Sequence, residues 1–104
     1  MKTIVYTDEF LRKIEILKLR LVSEFGERTE KKKMKEIYNV INLLSLNEYL
    51  GLSVRDIFGI DCDFYYIYAV HNYVFYSISE TMIKVLNIFD EREDFMMKMF
   101  GIKS

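Results

Sequence analysis

Apolar side chains recur at helical spacing through the N-terminal part of the chain. The first series has its members three or four positions apart and consists of Phe10, Ile14, Leu17, Leu21 and Phe25. Such a stripe is typical of the buried face of an amphipathic helix, so residues 8–25 are predicted to be helical, after a short β-prone run at residues 3–6. Thr7 can cap this helix at its N-terminus, and Gly26 can end it.

A second apolar stripe predicts a second helix, which begins at Glu27 or Thr29 and ends near Leu44. Its members are Met34, Ile37, Tyr38, Ile41 and Leu44. Because only a few residues separate the two stripes, the helices are predicted to form an antiparallel hairpin. The first turns of the second helix carry a run of lysines, namely Lys31, Lys32, Lys33 and Lys35. These form either a solvated polar face or a contact patch for an acidic partner or a phosphate.

The pattern changes to runs of Tyr, Phe, Val and Ile in the C-terminal half. Two short polar breaks divide this stretch, and they are His71-Asn72 and Glu80-Thr81. The strands predicted around the breaks cover residues 64–70, 73–79 and 82–89. Breaks of this length are too short for a crossover connection, so the strands are predicted to form an antiparallel meander.

Two further elements complete the predicted fold. Residues 54–58 are a candidate short strand. Asp90 and Glu93 can form a capping pair for a closing helix, which Gly101 would end before a short tail at residues 102–104. The chain is thus predicted to be a single α+β domain over residues 1–104, with an N-terminal strand, an antiparallel helical hairpin, an antiparallel meander and a short C-terminal helix.

Apolar side chains occupy both faces of the predicted meander. On its first strand, Tyr66 and Tyr68 share one face, while Tyr65 and Ile67 share the other. One helical hairpin can cover only one face, so the second is expected to bind another chain, either a second copy or a partner segment. The alternative is that the loop of residues 45–53 and the closing helix fold back over it.

Composition limits the classes of function. The chain is 51% hydrophobic and 30% charged, which is a globular balance, and its net charge of −1 implies no bulk attraction to nucleic acid. Cys62 is the single cysteine, so no internal disulfide forms, which fits a reducing compartment. Neither a secretory signal nor a membrane-spanning segment is expected from the sequence.

Few side chains offer catalytic or metal-binding chemistry. His71 is the only histidine, and together with Cys62 it cannot make a zinc site of the usual Cys/His type within one chain. No metal and no cofactor are therefore expected. His71 is interpreted as a polar turn residue. Arg55 and Arg92 could each contact an anion, although a surface ion pair is the commoner role.

Motifs in the C-terminal half carry a family resemblance. The middle strand of the meander carries an aromatic residue, Tyr76, and the next strand has apolar positions at Ile83, Val85 and Ile88. An Arg-x-Asp motif, Arg92 and Asp94, follows. Together with the opening segment of residues 5–10, these motifs resemble the RelE/ParE superfamily of toxins, and the resemblance spans nearly the whole chain.

The resemblance implies the toxin of a type II toxin–antitoxin system, a plasmid-stabilisation type of protein that a cognate antitoxin neutralises in the cytoplasm. The RNA-cleaving branch often has an arginine where this chain has Val74, and a histidine where it has Asp90. The chain therefore resembles more closely the ParE branch, whose members are similar to inhibitors of DNA gyrase. The alternatives are a RelE-like, ribosome-dependent mRNA endoribonuclease and an inactive domain that only binds a partner.

Two sets of site residues follow from these hypotheses. If the chain is a nuclease, the candidate catalytic residues are Arg92, Tyr66, Tyr76 and Arg55. The predicted partner-binding residues are Tyr66, Tyr68, Tyr73, Phe75, Arg92 and Phe95. The expected partners are the antitoxin, the gyrase or ribosome target and a second copy of the chain, and no membrane is involved.

Overall fold

The computed structural model describes residues 1–103, so the predicted tail of residues 102–104 lies partly outside the described residues, at Ser104. The helices and strands within this range are β1 (Thr3–Tyr6), α1 (Asp8–Phe25), α2 (Glu27–Leu43), β2 (Leu52–Ser53), α3 (Val54–Phe58), β3 (Phe64–Ala69), β4 (Asn72–Ile78), β5 (Met82–Asp90) and α4 (Phe95–Phe100). This order confirms the predicted α+β class. No helix in residues 1–103 is long and apolar enough to cross a membrane.

The helical hairpin forms as predicted. The hydroxyl of Thr7 accepts a hydrogen bond from the Phe10 amide at 3.1 Å and so caps α1. Gly26 ends α1 and precedes α2 with a φ of 88°, a backbone conformation that glycine adopts without steric cost. This one glycine therefore makes the connection between the two helices.

The five strands form one sheet in the order β1-β5-β4-β3-β2. The antiparallel pairing of β3 with β4 and of β4 with β5 confirms the predicted meander. β1 pairs with β5 in parallel, with Thr3 opposite Met82, and the sequence pattern did not predict this pairing. The helical hairpin lies in the connection between β1, at one edge of the sheet, and β2, at the other edge.

The turn between β3 and β4 is centred one residue earlier than predicted. Val70 and His71 have φ angles of 49° and 65°, as in the turns that suit the twist of two-residue hairpins. Asn72, assigned to the break from sequence, is the first residue of β4 and lies opposite Ala69. The Asn72 side-chain amide donates a hydrogen bond to the Val70 carbonyl at 2.8 Å. This bond stabilises the left-handed backbone conformation of Val70, which is unfavourable for a β-branched residue.

The prediction of a strand at residues 54–58 is wrong, because this segment is the helix α3. The hydroxyl of Ser53 accepts a hydrogen bond from the Asp56 amide at 3.3 Å at the helix start. Gly59 ends the helix with a φ of 70°, and its amide donates to the Arg55 carbonyl at 2.9 Å. These two end signals outweigh the β-prone composition of so short a segment.

The closing helix begins later than predicted. α4 starts at Phe95, and Asp94 caps it by accepting a hydrogen bond from the Met97 amide at 3.2 Å. The expected contact between Glu93 and the Asp90 amide forms at 2.7 Å. It closes a turn instead of a helix, because Asp90 is still the last residue of β5.

Both faces of the sheet are covered, which corrects the expectation of an open second face. The core between the sheet and the helical hairpin contains Phe10, Ile14, Leu17, Leu21, Ile37, Ile41, Val74, Val85 and Ile88. On the other face, α3 and α4 cover a smaller cluster built on Val54, Tyr66, Phe75 and Phe89. The alternative prediction, that the loop of residues 45–53 and the closing helix fold back over the second face, is thus confirmed for the closing helix. The loop after α2 does not cover this face. Its Tyr49 packs edge-on against Tyr65, with the two ring centroids 5.9 Å apart.

Candidate functional site

A cleft of about 300 Å³ lies where the helical hairpin meets the turn between β3 and β4. We call it the hairpin-end cleft. Its apolar wall consists of Leu17, Leu21, Phe25, Ile37 and Val70, and its polar wall of Arg20, Glu24, Lys33, His71, Asn72, Asp90, Glu91 and Arg92. The end of β5 and the turn that follows it therefore bring charged groups onto an apolar floor.

Asp90 holds two arginines at the polar wall of the cleft. Its carboxylate accepts hydrogen bonds from Arg92 Nε at 2.9 Å and from an Arg20 guanidinium nitrogen at 3.2 Å. The Arg92 backbone amide donates to the same carboxylate at 2.9 Å. The hydrogen bond from the Arg92 side chain is the main cause that lowers the pKa of Asp90 to about 2, while burial opposes it. Asp90 is therefore ionised at neutral pH and fixes the position of Arg92.

A second polar cluster joins the β3–β4 turn to the turn after β5. Glu91 accepts a hydrogen bond from the Tyr68 hydroxyl at 2.8 Å and contacts His71 Nδ1 at 2.9 Å. The hydrogen bond with Glu91 raises the pKa of Tyr68, and the bonds from Tyr68 and then His71 lower the pKa of Glu91. The cluster therefore connects the β3–β4 turn to the turn after β5 through side-chain hydrogen bonds.

Sequence reasoning missed this cluster and the role of Arg20. It interpreted His71 as a polar turn residue and Glu91 as part of the segment that begins the closing helix. The only available signal was that His71 is the single histidine, because its distance to Glu91 is set by the pairing of β4 with β5. Arg20 lies on α1, and no local pattern relates that helix to the end of β5.

The four candidate catalytic residues do not converge. Tyr76 is fully buried beneath the helices, and burial raises its pKa to about 12. Tyr66 belongs to the opposite face of the sheet, in the cluster under α3 and α4. Arg55 pairs with Asp61 at 3.0 Å and Asp63 at 3.2 Å on the surface. Arg92 is engaged with Asp90, so no two of the four act on a common point.

The six predicted partner-binding residues differ in accessibility. Phe75 is fully buried and Tyr66 nearly so, which removes both from the surface and corrects the expectation for these two. The cause is α4, since Phe95 packs against Phe75 at 5.2 Å and against Tyr73 at 5.4 Å between ring centroids. Tyr73 and Phe95 are half-buried. Tyr68 keeps 48% of its surface exposed, and the Arg92 side chain 76%.

Within residues 1–103, no group of three or more His, Cys, Asp or Glu side chains is placed to hold a metal ion. Cys62 is half-buried and unpaired in that range. The candidate chemistry of the described surface thus consists of the two linked clusters around Asp90 and Glu91.

No protein-family model matches the chain, and no curated protein matches it in sequence. Its structure is similar to that of a chain from the chromosomal ParDE TA (toxin–antitoxin) system of P. aeruginosa, with a TM-score of 0.72. The two chains are 12% identical, and the similarity covers 86% of this chain and 96% of that chain. The two proteins therefore share a fold.

Proposed function

We propose that this chain is the toxin of a type II toxin–antitoxin pair, ParE-like in its mode of action and neutralised by a cognate antitoxin. The observation that carries the proposal is the fold shared with a chain of a ParDE system, over 86% of this chain. The sequence motifs that end at Arg92 and Asp94 support it independently.

An amphipathic segment of the antitoxin would lie against the helical hairpin and the sheet. Support comes from large apolar side chains that the hairpin leaves more than a third exposed, namely Leu11, Ile16, Leu19, Phe25 and Leu43. Apolar side chains concentrated on one element suit a partner surface better than a monomer surface. The accessible members of the predicted binding set, Tyr68, Tyr73, Arg92 and Phe95, would extend the contact across the sheet end.

The proposed target is an essential cytoplasmic enzyme such as DNA gyrase. Position 74, which often carries an arginine in the RNA-cleaving branch, is a valine packed in the core beneath the helices. A phosphate of bound RNA could not reach this position. The dispersion of the candidate catalytic residues also favours gyrase inhibition over the alternative, a ribosome-dependent mRNA endoribonuclease.

Expression with and without the neighbouring reading frame tests the proposal. Induction of this chain alone should arrest growth of a bacterial host, and co-expression of a short neighbouring frame should restore growth. A stop codon in that frame is the matched control. Purified chain should inhibit supercoiling by gyrase, and the antitoxin should relieve the inhibition. Normal growth on induction would contradict the toxin function, whereas arrest with unaffected supercoiling would contradict only the target.

A further inference from the structure

We propose that the outer edge of β1 pairs with the same edge of a second copy of this chain, in an antiparallel register centred on Val5. The inference goes beyond the proposed function, because it needs neither the antitoxin nor the target. It rests on the open edge of the sheet, on the register that this edge allows and on the side chains at the two ends of the strand.

The outer edge of β1 has backbone groups that no strand pairs with. β1 is the first strand in the sheet order, so only its inner edge faces β5. The amides of Thr3 and Thr7 donate to carbonyls of β5, at 3.1 Å and 3.0 Å. Alternate residues of a strand direct their backbone groups to opposite edges, so the N–H and C=O groups of Ile4 and Tyr6 point outward.

The sequence of β1 lacks the charges, prolines and bulges that commonly keep a natural edge strand from pairing. It reads Thr-Ile-Val-Tyr, which are all β-prone residues, and its register with β5 is regular from Thr3 to Tyr6. The loop after α2 reaches only the residue before the strand, where the Lys2 amide donates to the Ser45 carbonyl at 3.2 Å. The edge is therefore open from Ile4 onward.

The position of the Lys2 amide also selects the register. In an antiparallel pair centred on Val5, Ile4 of each copy lies opposite Tyr6 of the other, and both pairs exchange their N–H···O bonds in the two directions. A pair centred on Ile4 would place Tyr6 opposite Lys2, whose amide is already bonded to the loop after α2. A pair centred on Tyr6 would place Ile4 opposite Asp8, which is helical and cannot continue the ladder. Only the register centred on Val5 uses every outward-pointing group of the open edge.

Charged side chains at the two ends of β1 favour a second copy over an unrelated strand. In this register Lys2 of one copy lies beside Asp8 of the other, and the two-fold axis repeats the contact at the far end. Asp8 is exposed in the first turn of α1. The Lys2 ammonium has three N–H groups and contacts the Ser79 carbonyl and Glu48, so one group remains for a carboxylate of the second copy.

Exposed apolar side chains lie at the same two ends. Leu46 is 71% exposed and follows the residue that bonds the Lys2 amide, and Leu11 is 43% exposed at the start of α1. The two-fold axis brings these two ends together, so Leu46 of each copy approaches Leu11 of the other. The contact is smaller than a standard interface of roughly 1,200–2,000 Å², so we expect a weak dimer that forms at concentrations on the order of 100 µM.

Cross-linking through single cysteines tests the pairing and its register. In a Cys62→Ser background, Val5→Cys places two cysteines at the centre of the pair, where directly opposite Cα atoms are about 4.5 Å apart and a disulfide can form. Thr3→Cys is the matched control, because in this register the two Thr3 residues are offset by roughly 14 Å along the strands.

Mild oxidation of the full chain should give covalent dimer at least about tenfold faster from Val5→Cys than from Thr3→Cys. Equal rates, or faster cross-linking of Thr3→Cys, would overturn the register. Absence of covalent dimer from both variants would overturn the pairing itself.

Sedimentation of oppositely charged variants tests the same contact without oxidation. Val5→Lys puts like charges directly opposite each other across the two-fold axis, as does Val5→Glu, so each variant alone should remain monomeric where the wild type dimerises. An equimolar mixture of the two should dimerise, because opposite charges then face each other. Leu52→Lys adds a lysine at an exposed residue of the opposite edge strand and should leave dimerisation within about twofold.

Two sedimentation results would overturn the proposal. One is a wild-type chain that stays monomeric up to about 1 mM, and the other is a dimer that Leu52→Lys weakens as much as Val5→Lys does. Dimerisation of the mixture would also show that both charged variants fold. If either of them fails to fold, the cysteine variants decide, since they change the size of the side chain little.

Discussion

The hydroxyl of Tyr76 accepts a hydrogen bond from the Gly51 amide at 3.1 Å and donates one to the Glu48 carbonyl at 2.9 Å. Tyr76 lies in the middle of the sheet and is fully buried. One side chain of β4 therefore fastens the loop between α2 and β2 to the core. The loop is positioned by this contact, since it has no regular secondary structure before Leu52.

Replacement of Gly51 by alanine should destabilise the protein. A Cβ atom at this position would overlap the backbone carbonyl of Tyr66 and lie 2.6 Å from the Tyr76 hydroxyl. Backbone cannot move aside as a flexible side chain can, so the free energy of unfolding should fall by about 1–3 kcal/mol in a urea titration. Asn47→Ala, at an exposed position of the same loop, should change it by less than about 0.5 kcal/mol. Equal effects of the two substitutions would contradict this account.

The Tyr76→Phe variant should be less stable than the wild type at neutral pH, and the difference should shrink in alkali. Loss of the hydroxyl leaves the Gly51 amide and Glu48 carbonyl unpaired, which costs about 1–3 kcal/mol. Burial raises the pKa of Tyr76 to about 12 in the folded state, against about 10 when unfolded. The raised pKa contributes stability that is present below pH 10 and is lost as the pH rises towards 12.

Urea unfolding of both proteins at about pH 8 and about pH 11.5 measures this effect. The other tyrosines titrate in both proteins, so only the difference between them reports on Tyr76. We expect the difference in the free energy of unfolding between the wild type and Tyr76→Phe to be about 2 kcal/mol smaller at about pH 11.5 than at about pH 8. A constant difference over this range would show that the Tyr76 hydroxyl titrates normally.

Asp90→Asn should destabilise the protein at neutral pH but not in strong acid. The pKa of Asp90 is lowered to about 2 by its contacts with Arg92 and Arg20, against about 3.9 when unfolded. A lowered pKa contributes stability that is present above pH 4 and is lost as the pH falls towards 2. After allowance for the solvent exposure of Arg92, the contribution should be about 1–2 kcal/mol.

The matched control for Asp90 is Asp63→Asn. Asp63 also pairs with an arginine, at 3.2 Å, but its side chain is 93% exposed. Exposed ion pairs contribute little, so this substitution should change the free energy of unfolding by less than about 0.5 kcal/mol at any pH. A larger acid-dependent effect of Asp63 than of Asp90 would contradict the assignment of the structural role to the Asp90 cluster.

Helix α4 should open locally without unfolding of the sheet. None of its residues is buried, whereas β4 carries four fully or nearly fully buried side chains, namely Asn72, Val74, Phe75 and Tyr76. In hydrogen exchange, the α4 amides should exchange at least about tenfold faster than those of β4. Such opening would expose Tyr66 and Phe75 to a partner. Equal protection of α4 and β4 would show that the second face stays closed.

Purified protein should not cut mRNA on translating ribosomes. Cleavage by a ribose 2′-hydroxyl needs a base, an acid and cationic stabilisation at one point. The four candidate residues lie apart, with Tyr76 buried and Arg55 paired on the surface. Primer extension after induction should give the same transcript ends for the wild type and Arg92→Ala. Codon-phased cuts that disappear in Arg92→Ala would favour the endoribonuclease alternative.

The local periodicity of the sequence determined most of the secondary structure. The stripe from Phe10 to Phe25 gave α1 with its observed bounds, because a long amphipathic pattern repeats one signal over many residues. The meander followed from its short breaks, since they leave antiparallel pairing as the available connection. The motifs around Tyr76 and Arg92 led to the expectation of the fold that this chain shares with a chain of a ParDE system.

Only the tertiary structure decided how the edge strands of the sheet pair, how the second face of the sheet is covered and which side chains meet around Asp90 and Glu91. The parallel pairing of β1 with β5 joins segments far apart in sequence, and no local pattern encodes it. In the five residues of α3, capping by Ser53 outweighed β propensity, because the segment is too short for periodicity to decide. Packing of Phe95 on Phe75 closed the face that alternation had left open. The contacts of Arg20 with Asp90 and of His71 with Glu91 depend on how the elements dock, so three-dimensional packing was needed to place them together.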